Sequence, residues 1–374
     1  MKINIISTAP PTECGIGITN HYLMEGMKQF LKTRNLSSKD INLYRITHPK
    51  SINPFHFIKL ILQARHCDIL HIQYNHDCFG SFTSRINGFQ NFFLYPIAKV
   101  FKTHLVTTFH EVSDVSNSGP IKKWFYHVLN YFPLHFSEHI IVTTEEAKEL
   151  IIKQDHMPPD MISVIPLGAI TNAKKLNKHA ARKLLKIPMD ANVITQFGFI
   201  DSNKGHDKII DILDSMENTL YLIAGSTRSK KGEKYLSFLM DKIHEKELES
   251  QVKFLGFINE KDYPKVIGAS DVLVFPYSDI TSSLALTTAL SYNVPILTSN
   301  ITPFEKFKEK FGGIITTDVN SHSLLLHSIR LLLDNHNVVK PLINNQKYFV
   351  DKFSWKSIAS KTFNIYKNLY GGTI

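Results

Sequence analysis

Short apolar, β-branched runs alternate along this chain with longer stretches of helical spacing, and the alternation occurs twice. In the first half the runs are Lys2–Ser7, Ile41–Arg45, Ile69–Gln73, His104–Thr108, His139–Thr143 and Ile162–Pro166, separated by helical spans such as Phe55–Ala64 and Ala147–Gln154. The second half repeats the pattern from Val193 as VITQFG, LYLIAG, VKFLGF, DVLVFP, VPILTS and GGIITT. Alternation of this kind predicts an α/β protein built on doubly wound, Rossmann-like parallel sheets. The densest unit is Asp271–Asn300, where Val272–Phe275 is apolar at every position, as a strand covered on both faces requires. Pro276 closes that strand, the polar segment Tyr277–Ser283 follows, and the spacing of Leu284, Leu286, Ala289 and Leu290 predicts a helix with Ser282–Ser283 as its first turn.

A length of 374 residues suits two cores of ordinary size. Hydrophobic content of 43%, with 16 prolines and 17 glycines dispersed, is that of a globular chain rather than a disordered one. The opening MKINIISTAPP has too short an apolar run for a signal peptide and reads as a first strand. No stretch approaches the roughly eighteen uninterrupted apolar residues of a membrane span, so a soluble or peripheral protein is expected. Cys14, Cys67 and Cys78 have no spacing suited to a metal or a disulfide, and a reducing cytoplasm is the expected compartment.

The formal charge of +10 and a pI near 9.2 favour anionic partners. Nucleic acid is set aside because no zinc-finger spacing, ribonucleoprotein aromatic motif or Gly-x-x-Gly clamp accompanies the charge. Within residues 91–136 the stretches NFFLYPIAKVFK and IKKWFYHVLNYF interleave aromatics with Lys99, Lys102, Lys122 and Lys123. That composition fits helices lying on an anionic bilayer at the inner membrane face, and equally fits amphipathic core helices with a solvated basic side.

Candidate chemistry gathers where strands end. After the first strand, the loop Thr8–Gly17 is expected to precede a helix from Ile18 through Phe30, and its Gly15-Ile16-Gly17 reads either as an anion cradle or as a tight strand-to-helix turn. The third glycine of a dinucleotide fingerprint is missing. His110, in Phe109-His110-Glu111, can hydrogen-bond a sugar hydroxyl or a phosphate, or simply cap neighbouring carbonyls. In Gly198–Gly205 (GFIDSNKG) Lys204 sits on a strand-to-helix turn beside free N–H groups, a setting suited to a diphosphate.

These segments, in this order, resemble the family 4 nucleotide-sugar glycosyltransferases. PPTECGIGITNHYL is similar to their glycine loop, TTFHE to their strand-end histidine segment, VIPLG to the strand closing their first domain and FGFIDSNKG to their Gly-Arg…Lys-Gly turn. VKFLGFINEKDYPKVIGASDVLVFP resembles their base-binding region, and FSWKSIASKTFNIYKNLY the C-terminal helix that crosses back onto the first domain. The resemblance implies the GT-B architecture: an acceptor-side domain over 1–170, a nucleotide-sugar domain over 171–350, a central cleft between them, and a returning helix over 351–374. It implies a UDP- or GDP-linked sugar as donor, a glycan or lipid-linked acceptor, retained anomeric configuration, and no metal or other cofactor. His110 and Lys204 would be catalytic, with Lys204 on the diphosphate. Gly15, Ile16, Gly17, Gly198, Gly225, Gly256, Phe257, Ile258, Ser282, Ser283, Leu284 and Thr288 would bind the donor, the Gly256–Ile258 turn facing its base.

Two departures stand out. Alignment on Ala289 and Pro295 puts Ile280 and Thr288 where members commonly carry two glutamates, and Phe199 stands where an arginine follows the glycine. The departures leave two readings open: a hexosyltransferase using a Ser/Thr-rich loop, or a catalytically silent GT-B protein that binds acceptor or stabilises a partner transferase.

Overall fold

A computed structural model describes every residue except 11–13, 36–38, 48–52, 77, 78, 80, 84, 85, 89, 102 and 372–374. Cys78 and Lys102 therefore lie outside the described residues. The chain forms two compact units, Met1–Gly168 together with Phe353–Ile374, and Ala169–Lys352.

The first unit holds β1 (Ile3–Ser7), β2 (Ile41–Arg45), β3 (Ile69–Tyr74), a small pair β4 (Ser81–Thr83) and β5 (Ile86–Asn87), then β6 (His104–Phe109), β7 (His139–Val142) and β8 (Ile162–Val164). The second holds β9 (Asn192–Phe197), β10 (Thr219–Ala224), β11 (Val252–Phe254), β12 (Val272–Phe275), β13 (Ile296–Ser299) and β14 (Ile315–Thr317). Each unit has one six-stranded sheet, ordered β2-β1-β3-β6-β7-β8 and β11-β10-β9-β12-β13-β14. Every pairing within these two sheets is parallel, whereas β4 and β5 pair antiparallel. The apolar runs become strands because helices cover both faces: β1, β3 and β12 are buried at every residue.

Sheet order locates the crevices. The second sheet grows outward from β9 through β10 to β11, then resumes on the other side of β9 with β12. Loops leaving β9 and β12 thus diverge at a topological switch point, where open α/β sheets bind ligands. In the first sheet the switch lies between β1 and β3.

The last helix, Trp355–Tyr370, belongs to the first unit. Trp355 stacks on Tyr22 with ring centroids 5.6 Å apart, Phe363 meets Phe30 at 5.6 Å, and the Tyr366 hydroxyl lies 2.5 Å from Nδ1 of buried His71 on β3.

Two local expectations are corrected. The first helix runs Gly15–Thr33, so Gly15 and Gly17 form its opening turn instead of a preceding loop. The helix after β12 is Leu284–Leu290, and Ser283 is its N-cap, not its first turn. Serine favours that half-in position because its hydroxyl can satisfy an orphan amide, here that of Leu286 at 3.1 Å. The β4–β5 pair has no counterpart among the expected strands.

Candidate functional site

Lys204 ends a short 3₁₀ turn, Ser202–Lys204, that follows β9. Asp201 opens the turn by accepting from the Ser202 amide at 2.7 Å. Gly205 closes it with φ of 67°, and a Cβ there would lie 2.0 Å from the Pro276 carbonyl oxygen, so only glycine lets the turn meet the loop after β12. The two loops are further tied by the Ser278 amide, which donates to the Asn203 carbonyl at 3.0 Å. From beneath, the Gln196 amide nitrogen donates to the Lys204 carbonyl at 2.8 Å. Gln196 is itself held by the buried Tyr221 hydroxyl at 2.7 Å, which lies 2.8 Å from Nδ1 of His206. Burial, followed by the charge of Lys204, lowers the His206 pKa to about 3, so this ring is a neutral part of the support.

The Lys204 ammonium stands 3.9 Å from the centroid of the Tyr277 ring. Tyr277 is buried, and burial raises the pKa of its phenol. Lys204 therefore rests against the face of a neutral ring that adds cation–π attraction. Turn, ring and serine cap stand together at the carboxyl edge of the second sheet, at its switch point.

Around this cluster the other expected donor residues are unequally placed. Gly198 follows β9 with φ of 122°, and Gly225 follows β10 so closely that a Cβ would lie 1.7 Å from the Gly198 carbonyl oxygen. Phe199 stacks with Phe257, centroids 6.4 Å apart, and Phe257 is exposed while Ile258 is buried. Gly256 has φ of 70° with open space beside it. Ser282 and Leu284 flank the capping Ser283 and are half-buried, whereas Thr288 is buried within its helix. No sequence signal marked Tyr277 as the partner of Lys204.

In the first unit, Gly15, Ile16 and Gly17 follow β1; a Cβ on Gly17 would come within 3.2 Å of the Ala9 backbone, whereas Gly15 has open space. His110 follows β6, and its Nε2 lies 2.7 Å from Oε1 of Gln73 on β3. The Gln73 amide reaches 3.4 Å from Nε2 of His71, whose Nε2 also lies 2.8 Å from the Thr108 hydroxyl. Desolvation lowers the His110 pKa to about 4; burial, followed by the nearby His110, lowers that of His71 to about 3. His110 is thus a neutral ring held through one nitrogen by Gln73, a hydrogen-bonding group rather than a cation. Periodicity placed Gln73 and His71 on a strand and gave them no role.

Among the described residues no group of three or more His, Cys, Asp or Glu side chains could hold a metal ion. None of the described helices is long and apolar enough to cross a membrane.

Two family profiles divide the chain between them: one described as Glycosyltransferase Family 4 matches residues 39–172, and one described as Glycosyl transferases group 1 matches residues 177–349. The chain belongs to the family 4 glycosyltransferases. An uncharacterized glycosyltransferase of Methanocaldococcus jannaschii is 25% identical over 64% of this chain and 63% of its own length, so the chain spans less than two thirds of that relative. The GPI3 subunit of phosphatidylinositol N-acetylglucosaminyltransferase from Saccharomyces cerevisiae is 22% identical over 86% of this chain and 68% of its own. In fold, the chain is similar to HepE of Anabaena, solved in complex with UDP and glucose, with a TM-score of 0.77 at 15% identity over 98% of this chain and 100% of that one. This family 4 chain thus has the GT-B fold, in two units each with its own parallel sheet.

Proposed function

We propose that this glycosyltransferase moves a hexosyl group from a nucleotide-diphosphate sugar to a glycan or lipid-linked acceptor with retention of configuration. The observation that carries the reading is the Lys204 turn: an ammonium held 3.9 Å from the Tyr277 ring at the switch point of the second sheet. Cleaving the anomeric bond leaves a cationic sugar and a doubly charged diphosphate, so a fixed cation at the leaving group lowers the barrier directly. In this reading protein cations neutralise that charge and no metal is needed. His110, neutral and oriented by Gln73, would hydrogen-bond a sugar hydroxyl. The first unit would serve the acceptor and the second the donor. HepE, solved in complex with UDP-glucose, supports a uridine donor by analogy.

The test is a screen of UDP-, GDP- and dTDP-linked sugars for thermal shift and nucleotide release. Stabilisation by at least one nucleoside diphosphate, with acceptor-dependent release, is the expected result. Binding without release would favour the silent alternative, and absence of any binding would remove the donor reading.

The acceptor side rests on a surface. In helix Pro120–Phe136, Ile121 is 73% and Trp124 60% exposed, next to Phe125 and the exposed Lys122. Large apolar side chains left in water beside basic ones fit the headgroup region of an anionic bilayer, which supports a lipid-linked acceptor and a peripheral place on the inner membrane face. Lys99 contributes less, being 3.6 Å from Glu138. In vesicle flotation the protein should float with anionic vesicles and far less with neutral ones, and Trp124→Ala should reduce the floated fraction severalfold. Equal flotation with both vesicle types would count against an electrostatic contribution.

A further inference from the structure

One cation at the second sheet's edge belongs to no expected motif. Arg228 lies in the loop between β10 and the helix Lys230–Glu245, and its guanidinium carbon stands 3.8 Å from the centroid of the Phe199 ring. Among the described residues no hydrogen bond or ion pair engages that guanidinium. On the adjacent turn, Asp201 Oδ1 accepts from the Ser202 amide at 2.7 Å and lies 3.7 Å from the Lys231 ammonium. A guanidinium lying on an aromatic face keeps its N–H donors at the rim of the plane, where they can meet two oxygens of a phosphate at once. Phe199 also stacks with Phe257, centroids 6.4 Å apart, so aromatic rings from two loops of the same edge gather beside Arg228.

The loop carrying Arg228 cannot drift from this edge. Gly225 abuts the Gly198 carbonyl, the Ile200 amide donates to the Ser226 carbonyl at 3.0 Å, and a Cβ on Gly232 would lie 2.8 Å from the Ile200 carbonyl oxygen. These contacts dock the β10 loop onto the segment leading from Gly198 to Lys204. Position 199, immediately after the glycine, holds an aromatic residue, and the charge it does not supply stands on top of it.

We infer that Arg228, presented on the Phe199 ring, is a second diphosphate-binding cation of this chain and a determinant of nucleoside diphosphate over monophosphate; the inference rests on the donor reading above. Lys204 is a point charge on one side of the anion, and Arg228 adds directional, two-point recognition from the neighbouring loop. The chemical class recognised is a nucleoside diphosphate, free as product or as part of the sugar donor.

The experiment is calorimetric titration of the intact protein with UDP and UMP, and with GDP and GMP. Arg228 is exposed, and a thermal melt of each variant verifies folding. Arg228→Ala should weaken diphosphate binding about tenfold and leave monophosphate binding within about twofold. Arg228→Lys should recover only part of the loss. Adding Phe199→Arg to Arg228→Ala should restore diphosphate affinity, because it returns a guanidinium to the same loop pair. An unchanged diphosphate-to-monophosphate ratio in Arg228→Ala would overturn the inference and leave the donor reading standing; so would equal weakening of both ligands. Failure of the unaltered protein to bind any of the four nucleotides would overturn the donor reading, and this inference with it.

Discussion

Replacing Lys204 with alanine is expected to raise the KM for the nucleotide sugar about ten- to a hundredfold and to weaken nucleoside diphosphate binding to a similar degree. The magnitude follows from losing a charged hydrogen-bonding contact to a diphosphate, about 1.5–3 kcal/mol, at about 1.4 kcal/mol per tenfold. The loss should be local. The turn's shape depends on Gly205 against Pro276, on the Ser278 amide to Asn203, and on Gln196 beneath the Lys204 carbonyl, none of which uses the ammonium. The melting temperature should therefore move little. Lys204→Arg should recover only part of the affinity, since a broad planar fork cannot take the seat of a compact ammonium against Tyr277. Steady-state kinetics on the donor identified by the nucleotide screen, with calorimetry on its diphosphate, decide the matter. Wild-type KM in Lys204→Ala would remove Lys204 from the site.

The largest stability effect is expected at Asp271. Arg182, in helix Lys178–Leu185, is fully buried, and its guanidinium donates to the Ala269 carbonyl at 3.2 Å and to the carbonyls of Met189 and Ala191 at 2.7 and 2.8 Å. Its charge is met by Asp271 Oδ2 at 2.7 Å, which also accepts from the Val193 amide at 2.8 Å, while Oδ1 takes Lys178 at 2.5 Å. One carboxylate thus joins the starts of β9 and β12 to the helix that precedes them. Asp271→Ala strands a guanidinium in the interior and should cost about 3–5 kcal/mol. For a unit of this size that corresponds to a fall in melting temperature on the order of 10 °C. Asp271→Asn keeps a hydrogen-bond acceptor but no charge and should fall between the two. Calorimetric unfolding at neutral pH provides the measurement. A fall of only a degree or two in Asp271→Ala would mean that water or backbone shifts solvate Arg182, and that the pair is not a keystone of the second unit.

Nothing in the sequence marks Arg182 and Asp271 as a charged pair, because they are far apart along the chain and each resembles an ordinary surface charge. The same holds for Arg228, a polar residue in a polar loop until the fold places it on Phe199. The capping role of Ser283 is a closer case: serine ahead of Leu286 permits both a first-turn and a cap position, and only the backbone path after Pro276 selects the cap. Gly15 and Gly17 open the first helix instead of lying in the loop before it, and Gly17 packs so closely on the Ala9 backbone that a Cβ would come within 3.2 Å of it.

What the sequence determined by itself is the two-fold repetition of buried parallel strands with intervening helices, and the residues that end those strands. Period and β-branching are local properties, and a strand buried on both faces must be apolar along its whole length. Tertiary structure alone decided the partners: Lys204 with Tyr277, His110 with Gln73, His71 with Tyr366, Arg228 with Phe199, Arg182 with Asp271. Lys204–Tyr277, His110–Gln73 and Arg228–Phe199 join strands or strand-end loops that strand order makes neighbours, while His71–Tyr366 and Arg182–Asp271 join a strand to a helix packed against its sheet. That is a property of the packed chain, which no window of residues contains.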